Sequence, residues 1–212
     1  MSEEDPNRTT PSPWPILPLR DVATCFAGIP SGRAASSTGS GSIRVVNIQD
    51  IDERGFIRPQ RKEIPPPAGA ERYRVMSGDL LLIARGAQTR AALATDDVGG
   101  ALAGSGLIVI RPGPELLPHV LLAYLQSDEG QRVLRKRIRS STLTRLLTMK
   151  DVYELPVPIP PMPVQHQIAE LSDVAETGYL AALRAAEKRR KFARAVIARL
   201  LHDDVLSSGD RS

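Results

Sequence analysis

A single cysteine, Cys25, is all the thiol chemistry these 212 residues contain. One thiol excludes a disulfide framework and a cysteine-based metal site, and nothing argues for export. Residues 1–10 are polar and acidic rather than basic then apolar, unlike a signal peptide. No apolar run approaches the ~18 residues that a membrane span needs. A cytoplasmic protein that avoids membranes is therefore expected. The three histidines, His119, His166 and His202, lie far apart and share no metal-ligand spacing. No Asn-Pro-Pro or Asp-Pro-Pro precedes an aromatic residue, so the usual amino-methyltransferase site is missing, and no acid-x-Lys tripeptide offers a nuclease metal site. The nearest approach to the latter is Asp52 with Gln60-Arg61-Lys62. Gly99-Gly100 and Gly104-x-Gly106 are not followed by a helix carrying a lysine, so they read as turns between strands rather than a phosphate loop. No internal repeat is visible.

What is present is an uneven charge. Hydrophobic residues at 42% and charged residues at 25% place the chain among globular proteins of one main core, and the net charge is only +4. Yet 132–150 hold seven Lys or Arg and no acid, and 184–201 hold seven with the single acid Glu187. Net +7 and +6 there, against +4 for the chain, leave the remainder at −9. A field so separated makes a polyanion the first candidate partner.

Four prolines, Pro6, Pro11, Pro13 and Pro15, mark 1–15 as a loose tail, and the fold is expected to span 16–160. A short helix is expected over 19–27, a flexible Ser/Gly-rich loop carrying Arg33 over 31–42, and a strand over 43–48. The apolar runs at 80–84 and 107–110 suit buried strands, with 91–95 pairing between them. Pro118 opens a helix whose apolar face continues to Ile138, and Thr148 with Asp151 starts another. Pro156, Pro158, Pro160 and Pro161 remove too many amide donors for a central strand and read as a domain boundary. From 164 to 201 there is no proline, and Ile168, Leu171, Ala175, Leu183, Ala186, Phe192, Val196 and Leu200 recur at three- and four-residue steps. One helix of ~38 residues, ~57 Å long, follows, too long to lie buried on a domain of this size. Lys188-Arg189-Arg190-Lys191 interrupts the seam, so this is a helix that needs a partner. The helix is assigned to 161–202 and a C-terminal tail to 203–212.

The residues that fit a polyanion are basic or short hydroxyl side chains, since phosphate oxygens accept from both. Arg132, Arg135, Lys136, Arg137 and Arg139 crowd a helix end and are followed by Ser140, Ser141, Thr142, Thr144, Arg145 and Lys150, one such stretch. A helix dipole alone favours cations at a C-terminus, but it accounts for two or three charges, not seven without an acid. Arg85, Gln88 and Arg90 follow the 80–84 strand and offer bidentate groups suited to guanine and adenine edges, although a plain surface loop would read the same. Arg44 and Asn47 could act similarly, and a structural role fits them equally.

Together these pieces resemble the target-recognition domain and adjoining helix of Type I restriction-modification specificity subunits. Leu19-Arg20-Asp21-Val22-Ala23 then Gly28 is similar to the family's opening, Arg44-Val45-Val46-Asn47-Ile48 to its first strand, and Ser77-Gly78-Asp79-Leu80-Leu81 to its GDLL turn. Residues 155–161, leading to Gln165, Gln167 and Ile168, resemble it best. The resemblance implies an α+β chain: one mixed α/β DNA target-recognition domain followed by a long C-terminal α-helix that pairs as an antiparallel coiled coil. The family carries two recognition domains and two such helices, so this chain looks like half a subunit, completed by a second copy. Two-fold symmetry would then make its double-stranded DNA target a divided palindrome. The resemblance also implies a non-catalytic chain without cofactor. S-adenosylmethionine, ATP and Mg belong to a methyltransferase subunit and a translocating restriction subunit. Two other readings stand beside it: a protein-interaction scaffold subunit that no longer reads DNA, and a nuclease acting through Asp52 and Lys62.

Overall fold

The computed structural model describes residues 13–30, 32, 40–58, 63–85, 89–140 and 145–207, with the backbone alone at 139–140, 145–146 and 202–207. The tail at 1–12, most of the 31–42 loop, residues 59–62 and 208–212 lie outside the described residues.

The two apolar runs are strands at the centre of the fold. Strand β5 (Leu80–Ile83) pairs antiparallel with β8 (Leu107–Pro112), with β2 (Ala23–Ala27) outside β8 and β6 (Ala91–Leu93) outside β5. Alternate side chains of a strand leave opposite faces. Leu80, Leu82, Ile108 and Ile110 therefore enter one core, and Leu81, Ile83, Leu107 and Val109 the other. With both faces covered, these strands read as unbroken apolar runs rather than alternating ones.

Helices cover the first face. Leu121 and Leu125 of α2 (Pro118–Gln126), Leu134 of α3 (Asp128–Arg137) and Val152 of α4 (Met149–Tyr153) all belong to that core. Each fully buried leucine contributes about 1.5–3 kcal/mol of transfer free energy. The second face is covered by a smaller sheet in which β3 (Ile43–Val46) runs antiparallel to β4 (Glu63–Ile64) and parallel to β7 (Leu102–Ala103). Val46, Val75, Ala101 and Ala103 fill the space between the sheets.

Three sequence expectations are corrected. The helix expected over 19–27 is one turn, α1 (Leu19–Val22), because Thr24, Cys25 and Phe26 complete the open edge of β8 as β2. Strand β6 lies at the sheet edge rather than between β5 and β8, which bond directly. The single helix expected from Pro118 to Ile138 breaks at Ser127, whose extended backbone ends α2 and whose Oγ accepts from the Gly130 amide at 3.2 Å to cap α3. Gly130 permits the close approach: a Cβ there would lie 2.0 Å from the Tyr124 carbonyl oxygen. As expected, the proline-rich segment is no central strand, and it forms half of a two-stranded ribbon. In β11 (Pro156–Pro158), Val157 pairs with Leu17 of β1 (Ile16–Pro18), and a two-stranded ribbon leaves each proline an edge where no donor is needed. The cap at Thr148 is as expected: its hydroxyl accepts from the Asp151 amide, and the Asp151 carboxylate accepts the Thr148 amide.

The chain divides into two compact units, Met1–Ala169 and Glu170–Ser212. The long helix, α5 (Met162–Ser207), starts within the first unit, where Gln165 is fully buried. Its Oε1 accepts from the Leu117 amide at 2.8 Å, and its Nε2 donates to the Glu115 and Pro160 carbonyls, each at 2.9 Å. Ile168 packs against the helical core. In the second unit the helix carries Leu171, Val174, Phe192, Ile197, Leu200 and Leu201 exposed, Phe192 at 73%. No helix among the described residues is long and apolar enough to cross a membrane.

Candidate nucleic-acid interface

The basic stretch is built by one helix and the hairpin after it. Helix α3 places Asp128 and Glu129 in its first turn and Arg135, Lys136 and Arg137 in its last, the arrangement its dipole favours. The chain then turns through β9 (Arg139–Ser140) and β10 (Arg145–Leu146), with Arg145 opposite Ser140 and Leu146 opposite Arg139. Ser141 and Thr142, between the two strands, lie outside the described residues. Lys150 is exposed on α4.

A backbone bond carries this hairpin to the central sheet: the Leu147 amide donates to the Ala84 carbonyl at 2.9 Å. Exposed Arg85 follows Ala84 directly, so residues sixty positions apart in the chain are brought to one place. Gln88 lies outside the described residues, as does Arg33. Arg90 leads into β6 and lines a cleft of about 530 Å³ together with Arg54, Arg135 and Ile138. Exposed Arg85, Arg135 and Lys136 and half-buried Arg90 and Arg137 thus sit on neighbouring elements. Tyr124, under this helix pair, has its hydroxyl pKa raised, first by burial and then by Glu129, with Arg137 opposing.

Arg44 and Asn47 belong to the smaller sheet and have local duties. The Arg44 Nη1 donates to the Asp97 carbonyl at 2.8 Å. Asn47 caps the 3-10 turn Ile48–Asp50, its amide donating to Asp50 Oδ2 at 2.7 Å. Other arginines are tied into the scaffold: Arg20 to Glu154, Arg58 to Asp52, and Arg74 to Glu71. Among the described residues no three His, Cys, Asp or Glu gather as metal ligands. Asp52, the acid of the nuclease reading, accepts from the Arg54 and Phe56 amides and pairs with Arg58, and its supposed partner Lys62 lies outside the described residues. Cys25 is buried, which pushes its thiol up to about 12 and leaves it unreactive.

Solved structures share this fold. The HsdS subunit from Thermoanaerobacter tengcongensis is 26% identical, with a TM-score of 0.55 over 93% of this chain and 49% of that one. By fold, the chain is similar to this Type I specificity subunit. A chain in a structure describing complex assembly and conformational transition of the type I R-M system is also 26% identical, with a TM-score of 0.56 over 93% of this chain and 50% of that one. The Type-I restriction-modification S subunit from M. genitalium, at 16% identity and a TM-score of 0.53 over 77% of this chain and 39% of that one, shares the fold alone. This chain therefore spans about half the length of the specificity subunits it matches. No protein-family model and no curated protein matches it.

The fold also accounts for the GDLL turn that sequence reading could only note. Gly78 has φ +89, which a side chain disfavours, and this turns Asp79 inward to 1% exposure. There Asp79 accepts the Met76 amide at 2.7 Å and two Arg111 N–H groups at 2.8 Å each. Arg135 belongs to the basic stretch already visible in the sequence. Only the fold brings it to the cleft that Arg90 also lines.

Proposed function

We propose that this chain is the sequence-specific DNA-binding specificity subunit of a Type I-like restriction-modification or related phage-defence system in the cytoplasm. The observation that carries this reading is that Arg90 and Arg135 line one cleft, and that Leu147, after the basic hairpin, bonds to Ala84 beside Arg85, on a domain that shares the fold of a specificity subunit. In this reading 16–160 is the recognition domain and 161–202 the spacer helix. Arg85, Gln88, Arg90, Arg137, Arg139, Ser140, Ser141, Thr142, Arg145 and Lys150 face double-stranded DNA, and Arg33, Arg44 and Asn47 flank them. The chain itself catalyses nothing. A methyltransferase subunit using S-adenosylmethionine, and a restriction subunit using ATP and Mg, perform the chemistry where this subunit directs them.

The bare apolar face of α5 supports a homodimer, in which Leu171, Ala175, Leu183, Ala186, Phe192, Val196 and Leu200 pack against the same helix of a second copy, antiparallel, while Ile168, expected on that seam, packs on the chain's own core. Two copies of one domain related by a two-fold axis read inverted copies of one half-site, so the target is a divided palindrome. Selection from a random duplex pool tests this. Enrichment of a bipartite site with inverted halves is expected, bound well above non-specific DNA at physiological salt. A pool that shows no sequence preference would instead favour a scaffold subunit whose exposed helix serves only protein contacts.

A further inference from the structure

Arg90 is half-buried, and its Nε is enclosed without a hydrogen-bond partner. A buried donor on a charged group left unpaired is costly, and an occupant of the cleft can remove that cost. The cleft receives Arg135 from the last turn of α3 and Arg54 from the turn after Asp52, with Leu134 and Ile138 supplying an apolar wall and Glu53 an exposed carboxylate. A side chain that reads base edges must reach out into a groove. Arg90 is half-buried and lines the cleft instead, so a ligand that enters the cleft meets its guanidinium. A backbone phosphate does so, carrying a deoxyribose that suits an apolar wall. The guanidinium fork matches two phosphate oxygens.

We propose that this cleft seats one phosphodiester of the bound DNA, with Arg90 and Arg135 donating to the same phosphate. Arg90 is then a positioning contact that sets register on the duplex rather than a base reader. The inference rests on the DNA-binding reading above, and it assigns Arg135 a role within it.

The test measures affinity of the full-length chain for a fluorescent duplex of mixed sequence across a KCl series. Arg90→Gln and Arg135→Gln are each expected to weaken binding. Together they should flatten the slope of log K against log salt by about 0.9, the counterion release of one phosphate, and weaken binding about eightfold at 0.1 M salt. Glu53→Gln removes the opposing charge and is expected to tighten binding. Thermal melts identify any variant that fails to fold, and exposed Arg135 and Glu53 keep the test decisive if Arg90→Gln does. Binding that ignores all three substitutions overturns the cleft while leaving the DNA reading intact. A double variant that loses twice the slope overturns the shared phosphate. No binding by the unaltered chain overturns the DNA reading and the cleft with it.

Discussion

Asp79 concentrates more of the fold's polar bonding than its single position suggests. Its carboxylate is buried, its three acceptor bonds join the turn before β5 to the end of β8, and the Arg111 guanidinium also stacks over the Phe26 ring at 5.5 Å to the centroid. The hydrogen bond that Arg111 donates to Asp79 raises the Arg111 pKa, against the opposing effect of burial. Asp79→Asn keeps the shape but removes the charge and an acceptor. A wholly buried pair broken on one side costs ~3–5 kcal/mol, and because Arg111 keeps a third of its side chain exposed, about 2–3 kcal/mol is expected. Urea unfolding should show this as a lower midpoint with an unchanged slope. The GDLL pattern was legible in the sequence as a turn before a strand. That its aspartate is a buried ion-pair partner was not, because Arg111 lies on another strand, 32 residues on.

Among the elements, α5 shows most clearly how a local signal becomes a structural joint. Helix length follows from the absence of proline over 164–201, and its start follows from Gln165, which ties together the amide of Leu117 and the carbonyls of Glu115 and Pro160. Gln165→Leu fits the apolar surroundings yet leaves all three backbone groups without that partner. At ~1–3 kcal/mol for each buried group left unsatisfied, and with water relieving some, a loss of about 3 kcal/mol is expected by calorimetry or urea titration. A loss under a few tenths would mean that the side chain only fills space. The sequence marked Gln165 solely through its resemblance to the family. Helices α2 and α3 show the converse: their apolar positions follow one helical period from Val120 to Ile138, and only Ser127 and Gly130 reveal the break. Ser127 was readable as a cap, but the close approach at Gly130 exists only once α3 folds back on Tyr124.

For the molecule as a whole, the helix face in the second unit decides whether one chain suffices. Leu171 is 70% exposed and Phe192 73%, and a second copy would bury such a face. Light scattering of the chain at micromolar concentration is expected to report a dimer. Phe192→Asp with Leu200→Asp should give a monomer that melts as the parent domain does and binds a single half-site more weakly than the dimer binds the divided palindrome. A parent chain that is already monomeric at that concentration removes the homodimer, and with it the symmetric target.

What the sequence determined by itself is what short-range physics controls. Unbroken apolar runs specify strands covered on both faces, the Thr148–Asp151 pair specifies a helix start, proline-free three-and-four spacing specifies the long helix, and one acid-free stretch marks the basic surface. Tertiary structure alone decided the pairings that close long loops. Residues 23–27 became a strand because β8 offered an open edge, the prolines of 156–158 found a ribbon with 16–18, and the Leu147–Ala84 bond brought the two basic segments to one place. Those outcomes depend on which distant edge is left unpaired when the core forms, and no local run of residues records that.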